Sequence, residues 1–198
     1  MRLKAKHILF VCTGNTCRSP MAEGLLRQMA KQRGIALDVR SAGVAATPGM
    51  PMSRHAEAVL RDHQIQDRMT SSALDLGLIE WADLILTLTG SHKSHVLRTF
   101  PEAYDRTHTL KEYVEDDPNV LGDLEELDSL SASVELSRAL GETVETSQRQ
   151  RMIELRQRIP MFDISDPFGG SRDEYEATAA EIRTALDRLL DKLEREKR

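Results

Sequence analysis

The segment His7-Ile8-Leu9-Phe10-Val11-Cys12-Thr13-Gly14-Asn15-Thr16-Cys17-Arg18-Ser19-Pro20-Met21 changes character twice in a short distance. His7 to Thr13 is apolar with no helical period, the pattern of a strand buried on both faces. Gly14 ends it. Ser19-Pro20 then reads as a helix start, a capping residue followed by proline at the first helical position. Met21, Leu25, Leu26 and Met29 supply the apolar stripe of that helix, and Gly34 follows its end.

The same alternation continues downstream. Leu37 to Arg40 is a second short strand, closed by Ser41-Ala42-Gly43, and after a loop Ala56, Val59 and Leu60 mark a helix. A further helix, near Ala73 to Ala82, runs into the apolar strand Asp83 to Thr89. A helix at about Ser91 to Thr99 is ended by Pro101, and Thr107 to Leu110 is the last strand. Tyr175, Ala179, Ile182, Leu186, Leu189 and Leu193 recur at steps of four and three, so the C-terminal helix has one apolar face. Strands alternating with helices indicate an α/β fold: three layers, with a four-stranded parallel sheet flanked by helices.

One stretch breaks the rhythm. From about 117 to 160 the chain has no aromatic residue, is acidic first (Asp117, Asp123, Glu125, Glu126, Asp128, Glu135) and basic later (Arg149, Arg151, Arg156, Arg158). Val120, Leu124, Leu127 and Val134, then Met152, Leu155 and Ile159, keep helical spacing on either side of a polar break at Gly141 to Gln148. The reading is one domain over 1–198, interrupted by a helical hairpin whose charge order suits an antiparallel pair. Such an arm can serve as a lid, a helical partner's docking site or a self-contact.

Composition narrows the class. The chain has 198 residues, with 27 Lys and Arg against 32 Asp and Glu, a net charge of −5. A nucleic-acid partner is not expected from an acidic balance. No apolar run reaches the length of a membrane span, and Met1-Arg2-Leu3-Lys4-Ala5-Lys6 carries no signal-peptide pattern, so no membrane association is expected. The two cysteines, Cys12 and Cys17, suit a reducing cytoplasmic compartment, and without His or Cys at ligand spacing they imply neither metal nor cofactor.

The loop after the first strand carries the chemistry. Amides of a tight loop opening into a helix can converge on phosphate oxygens. Arg18 adds a planar fork for two of those oxygens. The same positive field favours a thiolate at Cys12 and makes it a nucleophile. Gly14 and Asn15 are residue types that tolerate the left-handed backbone of such a loop.

Cys12 to Pro20 followed by Met21-Ala22-Glu23 resembles the signature of the low-molecular-weight protein tyrosine phosphatases. Arg40-Ser41-Ala42-Gly43-Val44, Ala82-Asp83-Leu84-Ile85-Leu86 and Asp166-Pro167-Phe168-Gly169-Gly170 match in order, so the resemblance spans about 5–115 and 163–195 and omits the hairpin. It implies a metal-free hydrolysis of phosphorylated protein side chains through a phosphocysteine. Cys12 is then the nucleophile, Arg18 the charge stabiliser and Asp166 the general acid and base. Thr13, Gly14, Asn15, Thr16, Cys17 and Ser19, with Phe168, would bind substrate. Ser19 would hydrogen-bond the thiolate, and Asn15, Ser19 and Ser41 would support the loop. The resemblance also implies a protective Cys12–Cys17 disulfide.

Thr16, where tyrosine-specific members usually carry a bulky aliphatic residue, and Phe168-Gly169-Gly170, where they carry tyrosines, look most like the bacterial protein arginine phosphatases. Tyrosine phosphatase is the alternative. A thioredoxin-coupled arsenate reductase would need resolving cysteines after Cys17, and there are none. A non-catalytic phosphoprotein-binding module is the remaining rival. Met69 stands where many relatives place a histidine that supports the loop, and His55, His63, His92, His95 and His108 are assigned to surfaces and helix faces.

Overall fold

The computed structural model describes residues 6–196; residues 1–5, which include the polar lead read above, and 197–198 lie outside the described residues. Four strands, β1 (Lys6–Cys12), β2 (Leu37–Gly43), β3 (Leu84–Thr87) and β4 (Thr107–Thr109), form one sheet in the order β2-β1-β3-β4. All pairings are parallel, as the α/β reading expects. The chain steps from β1 outward to β2 and then returns to the other side of β1 to lay down β3. This reversal opens a crevice at the carboxyl end of β1, where open parallel sheets place their ligands. Cys12 is the last residue of β1.

Alternation along β1 sends its side chains into two separate cores. Ile8 and Phe10 pack on one face with Met21 and Leu25 of α1 (Arg18–Gln32), Val59 of α2 (Arg54–Asp62) and Ile182, Leu186 and Leu189 of α8 (Arg172–Arg195). Leu9 and Val11 pack on the other with Ile79 of α3 (Leu76–Trp81) and Val96 of α4 (Gly90–Thr99). Side chains of this size, fully withdrawn from water, each stabilise by about 1.5–3 kcal/mol, which explains why the buried stretch Ile8 to Val11 of β1 is wholly apolar while the half-buried Lys6 and His7 at its start are polar. A short α5 (Leu110–Tyr113) follows β4.

Three boundaries depart from the sequence reading. Ser19 is not the cap of α1: the helix starts at Arg18, Cys17 occupies the cap without a side-chain bond, and the Ser19 hydroxyl is turned inward instead. β2 runs on through Ser41, Ala42 and Gly43, paired with Phe10, Val11 and Cys12, because cross-strand bonding outweighs the weak strand propensity of these small residues. The helix expected from Ala73 is only α3, since Ala73 is held in an isolated bridge with Gly43.

Glu115–Met161 forms a second compact unit. It holds α6 (Pro118–Ala139), capped by Asp117 with Pro118 at the first position, and α7 (Thr146–Arg158). Arg151 grips both carboxylate oxygens of Glu126 at 2.6 and 2.7 Å, and Arg158 meets Asp123 at 3.0 Å. These pairs, with Gln148 against Ser133, run the two helices antiparallel. Val134 and Leu155 are buried, whereas Leu136, Leu140 and Ile153 remain exposed.

Candidate active site

The loop between β1 and α1 is tight because Asn15 takes a left-handed conformation, φ 54°; Gly14, also read as suited to it, does not. Its curl brings the Asn15 N–H to 3.3 Å from the Cys12 sulfur, and the first turn of α1 brings Ser19 Oγ to 2.9 Å from the same atom. Asn15 Nδ2 donates at 2.8 Å to both Ser19 Oγ and Ser41 Oγ, while its Oδ1 accepts from the Ser72 amide at 2.8 Å. Gly43 lets this happen. A Cβ there would meet the Thr13 carbonyl and lie 2.9 Å from the Asn15 nitrogen.

Behind Ser41 stands a residue quoted in the signature but given no role in the sequence reading. The Ser41 hydroxyl donates a very short bond to Glu23 Oε2, and Glu23 Oε1 accepts from Arg27 at 2.5 Å. Ser19, Glu23 and Arg27 are spaced by four on α1 and so share one face. Burial raises the Glu23 carboxyl above its ordinary value, against the lowering pull of Ser41 and Arg27. Met69, at the position read as a missing histidine, is instead packed against the apolar core.

The opposite side of the loop is held by His92, which corrects its assignment to a helix face. His92 is 5% exposed, with Nε2 2.8 Å from Thr13 Oγ1 and Nδ1 2.9 Å from Thr89 Oγ1. Burial, and then the Arg18 charge, push its pKa down to about 4, so it is neutral at physiological pH. Thr89 is three residues away, but Thr13 is 79 residues away, so no local pattern shows this contact.

Arg18, at the first position of α1, is buried yet reaches Ile164 O at 3.4 Å and Asp166 Oδ2 at 2.7 Å. Asp166 is about half exposed and its other oxygen accepts from the Phe168 amide at 3.1 Å, closing an Asx turn. Cys12, Thr13, Gly14, Thr16, Cys17, Arg18, Asp166 and Phe168 line one cleft of about 260 Å³. Phe168 is 79% exposed at its rim. Cys17 is buried, its sulfur 3.2 Å from the Tyr175 hydroxyl, and both cysteines are free thiols. Ser19, Asn15 and Ser41 do not line the cleft; they stand behind it. Among the described residues no group of three or more His, Cys, Asp or Glu is placed to hold a metal ion.

A cysteine on a strand end, an arginine fork and a carboxyl around one small cleft suit phosphoryl transfer. A family model described as low molecular weight phosphotyrosine protein phosphatase matches residues 7–161. The chain belongs to this family.

This phosphatase is a cysteine-dependent hydrolase of phosphorylated proteins. It is 36% identical over 96% of its length to a protein-arginine-phosphatase of Geobacillus stearothermophilus, of which it covers 97%. It also resembles a solved arginine phosphatase mutant with a phosphorylated active-site serine (TM-score 0.70, 34% identity, 95% of each chain covered). A low molecular weight protein tyrosine phosphatase from T. tengcongensis is similar at TM-score 0.69 and 30% identity, covering 95% of this phosphatase and 99% of that chain. Among the described residues no helix of the phosphatase is long and apolar enough to cross a membrane.

Proposed function

We propose that the phosphatase hydrolyses phosphoarginine in proteins, with Cys12 as nucleophile, Arg18 as charge stabiliser and Asp166 as proton donor and acceptor. The observation that carries this reading is the convergence of Cys12, Arg18, Thr16 and Asp166 on one cleft. The Cys12 thiolate attacks phosphorus, the bond from phosphorus to the guanidine nitrogen breaks, and Asp166 passes its proton to that nitrogen. Arg18 and the amides of Thr13 to Ser19 hold the charge that builds on the equatorial oxygens. Water then attacks the phosphocysteine, Asp166 takes its proton, and the sulfur–phosphorus bond breaks to release phosphate. Incoming phosphate takes over the Arg18 fork from Asp166, which frees the carboxyl to face the leaving group.

Thr16 supports the choice of substrate: its hydroxyl and small volume suit a polar, cationic guanidinium better than a phenol ring. The arginine phosphatase relative points the same way. Dephosphorylation of tyrosine is the second reading, favoured by the exposed Phe168 ring at the cleft rim, which is able to stack on a phenol. Phosphoarginine and phosphotyrosine peptides, assayed with wild type and Thr16→Ile, separate the two. The arginine reading expects wild type to prefer phosphoarginine and Thr16→Ile to move preference toward phosphotyrosine. Wild-type preference for phosphotyrosine, unchanged by Thr16→Ile, refutes it.

The reading extends to a reducing cytoplasm, where Cys17 guards the nucleophile. A peroxide oxidises Cys12 to the sulfenic acid, and attack by the Cys17 sulfur forms the disulfide and releases water. The acidic balance argues against nucleic acid as a partner. The chain is one catalytic domain carrying the 117–160 hairpin as a contact arm for a helical partner or a second copy, on the support of its exposed Leu136, Leu140 and Ile153.

A further inference from the structure

Glu23 is buried, ionisable and outside the cleft, and no step of the hydrolysis uses it. Its place follows from the direction of each hydrogen bond around the loop. The Ser72 amide can only donate, so the atom of Asn15 that it meets is the carbonyl oxygen. The Asn15 NH2 group must then face Ser41 and Ser19, giving one hydrogen to each hydroxyl oxygen. Both serines are therefore acceptors toward Asn15, and each must place its own proton elsewhere. Ser41 gives its proton to Glu23 Oε2. Ser19 has the Cys12 sulfur at 2.9 Å and gives its proton there.

We propose that Glu23 is a positioning residue of this phosphatase: by accepting the Ser41 proton it keeps that hydrogen away from the Asn15 amide, so that the relay oriented by the Ser72 amide stays in place and Ser19 is left to donate to the Cys12 sulfur. The proposal rests on the phosphocysteine reading. Without an acceptor at Glu23, the Ser41 hydrogen has to turn toward Asn15, where it meets an N–H rather than a lone pair. Asn15 is then pushed from its place, and with it go the amide and the Ser19 hydroxyl that face the thiolate. Arg27 secures the other carboxylate oxygen and is itself tied to the Val39 carbonyl at 2.7 Å, so the acceptor is anchored to β2 as well as to α1. Asp67 and Arg40 are the other charged groups that bear on it.

Alkylation of Cys12 by iodoacetamide, mapped by peptide analysis, reads the thiolate directly. Glu23→Met, which keeps the volume and removes the acceptor, is expected to slow alkylation about tenfold at weakly acidic pH and little at alkaline pH, the loss of a hydrogen bond to a charged sulfur. It should lower kcat by a similar factor for a generic aryl phosphate, with KM nearly unchanged. Glu23→Gln, whose carbonyl still accepts, should recover most of both. A folded Glu23→Met protein that alkylates with the wild-type pH dependence overturns the proposal.

Independently of any variant, the Ser41 hydroxyl proton should appear in NMR spectra of the wild type as a slowly exchanging downfield signal close to the Glu23 side chain. Exchange at the rate of a free hydroxyl overturns the proposal equally. Cys12→Ser separates this from the reading beneath it. Activity surviving in Cys12→Ser means that the phosphocysteine reading has failed. An inactive Cys12→Ser beside a wild-type profile in Glu23→Met means that only the positioning role has failed.

Discussion

The side chain of Asp166 lies across the cleft on the guanidinium of Arg18, 148 residues away in the chain, with Oδ2 2.7 Å from Nη2. The carboxyl read as the proton donor thus competes with substrate phosphate for the charge that must bind it. Asp166→Asn is expected to lower kcat by roughly 10²–10⁴-fold, the usual worth of a positioned acid. Vanadate should bind the variant at least as tightly as wild type, because Arg18 no longer has a rival anion. Calorimetric titration with vanadate beside steady-state kinetics checks both halves, and weaker vanadate binding would contradict the competition.

His92 provides a pH test of stability. Its pKa is about 4 in the folded chain against an ordinary 6.5, so its contribution is full above pH 6.5 and is lost as pH falls through 6.5 toward 4. The protein should lose about 1–3 kcal/mol over that window from this group, a figure reduced for partial solvent screening. In His92→Gln that part of the slope should vanish in thermal melts taken across the window. The phosphatase activity itself should show no step near pH 6.5 from this imidazole.

Glu23 titrates with the opposite sign. Its folded value is raised by burial above 4.5, so its contribution is full below pH 4.5 and is lost as pH rises through the folded value. The melting temperature of Glu23→Gln relative to wild type is therefore expected to rise between about pH 4 and pH 7. A difference that stays constant across that range would show that the carboxyl is not desolvated.

Gly43 is a steric prediction. A Cβ at this position presses on the backbone of Thr13 and Asn15 rather than on a flexible side chain, so the loop itself has to give way. Gly43→Ala should cost about 1–3 kcal/mol in denaturant unfolding. Activity should fall more than stability would suggest, because the Asn15 amide, one of the groups displaced, faces the Cys12 sulfur.

Much of the fold could be read along the chain, because it is written in local terms. Apolar runs at β1 and β3, the four-and-three stripe of α8 and the charge order of the hairpin each depend on residues a few positions apart. The element boundaries at Ser19 and Ser41 escape a local reading for the same reason. Both serines look like helix caps or turn formers from their neighbours, and both are claimed by Asn15 instead.

The sequence by itself determined the loop after β1, with Cys12, Arg18 and the strand-to-helix turn between them, because these residues are adjacent and their spacing carries the geometry. Only the tertiary structure decided what holds that loop: Glu23 through β2, His92 from α4, Ser72 from beyond α2, and Asp166 poised on Arg18. Hydrogen bonds are short and directional, and a buried donor or acceptor must find a partner wherever the fold brings one. Such partners are chosen by the closing of the sheet and its helices, at separations that no local pattern records.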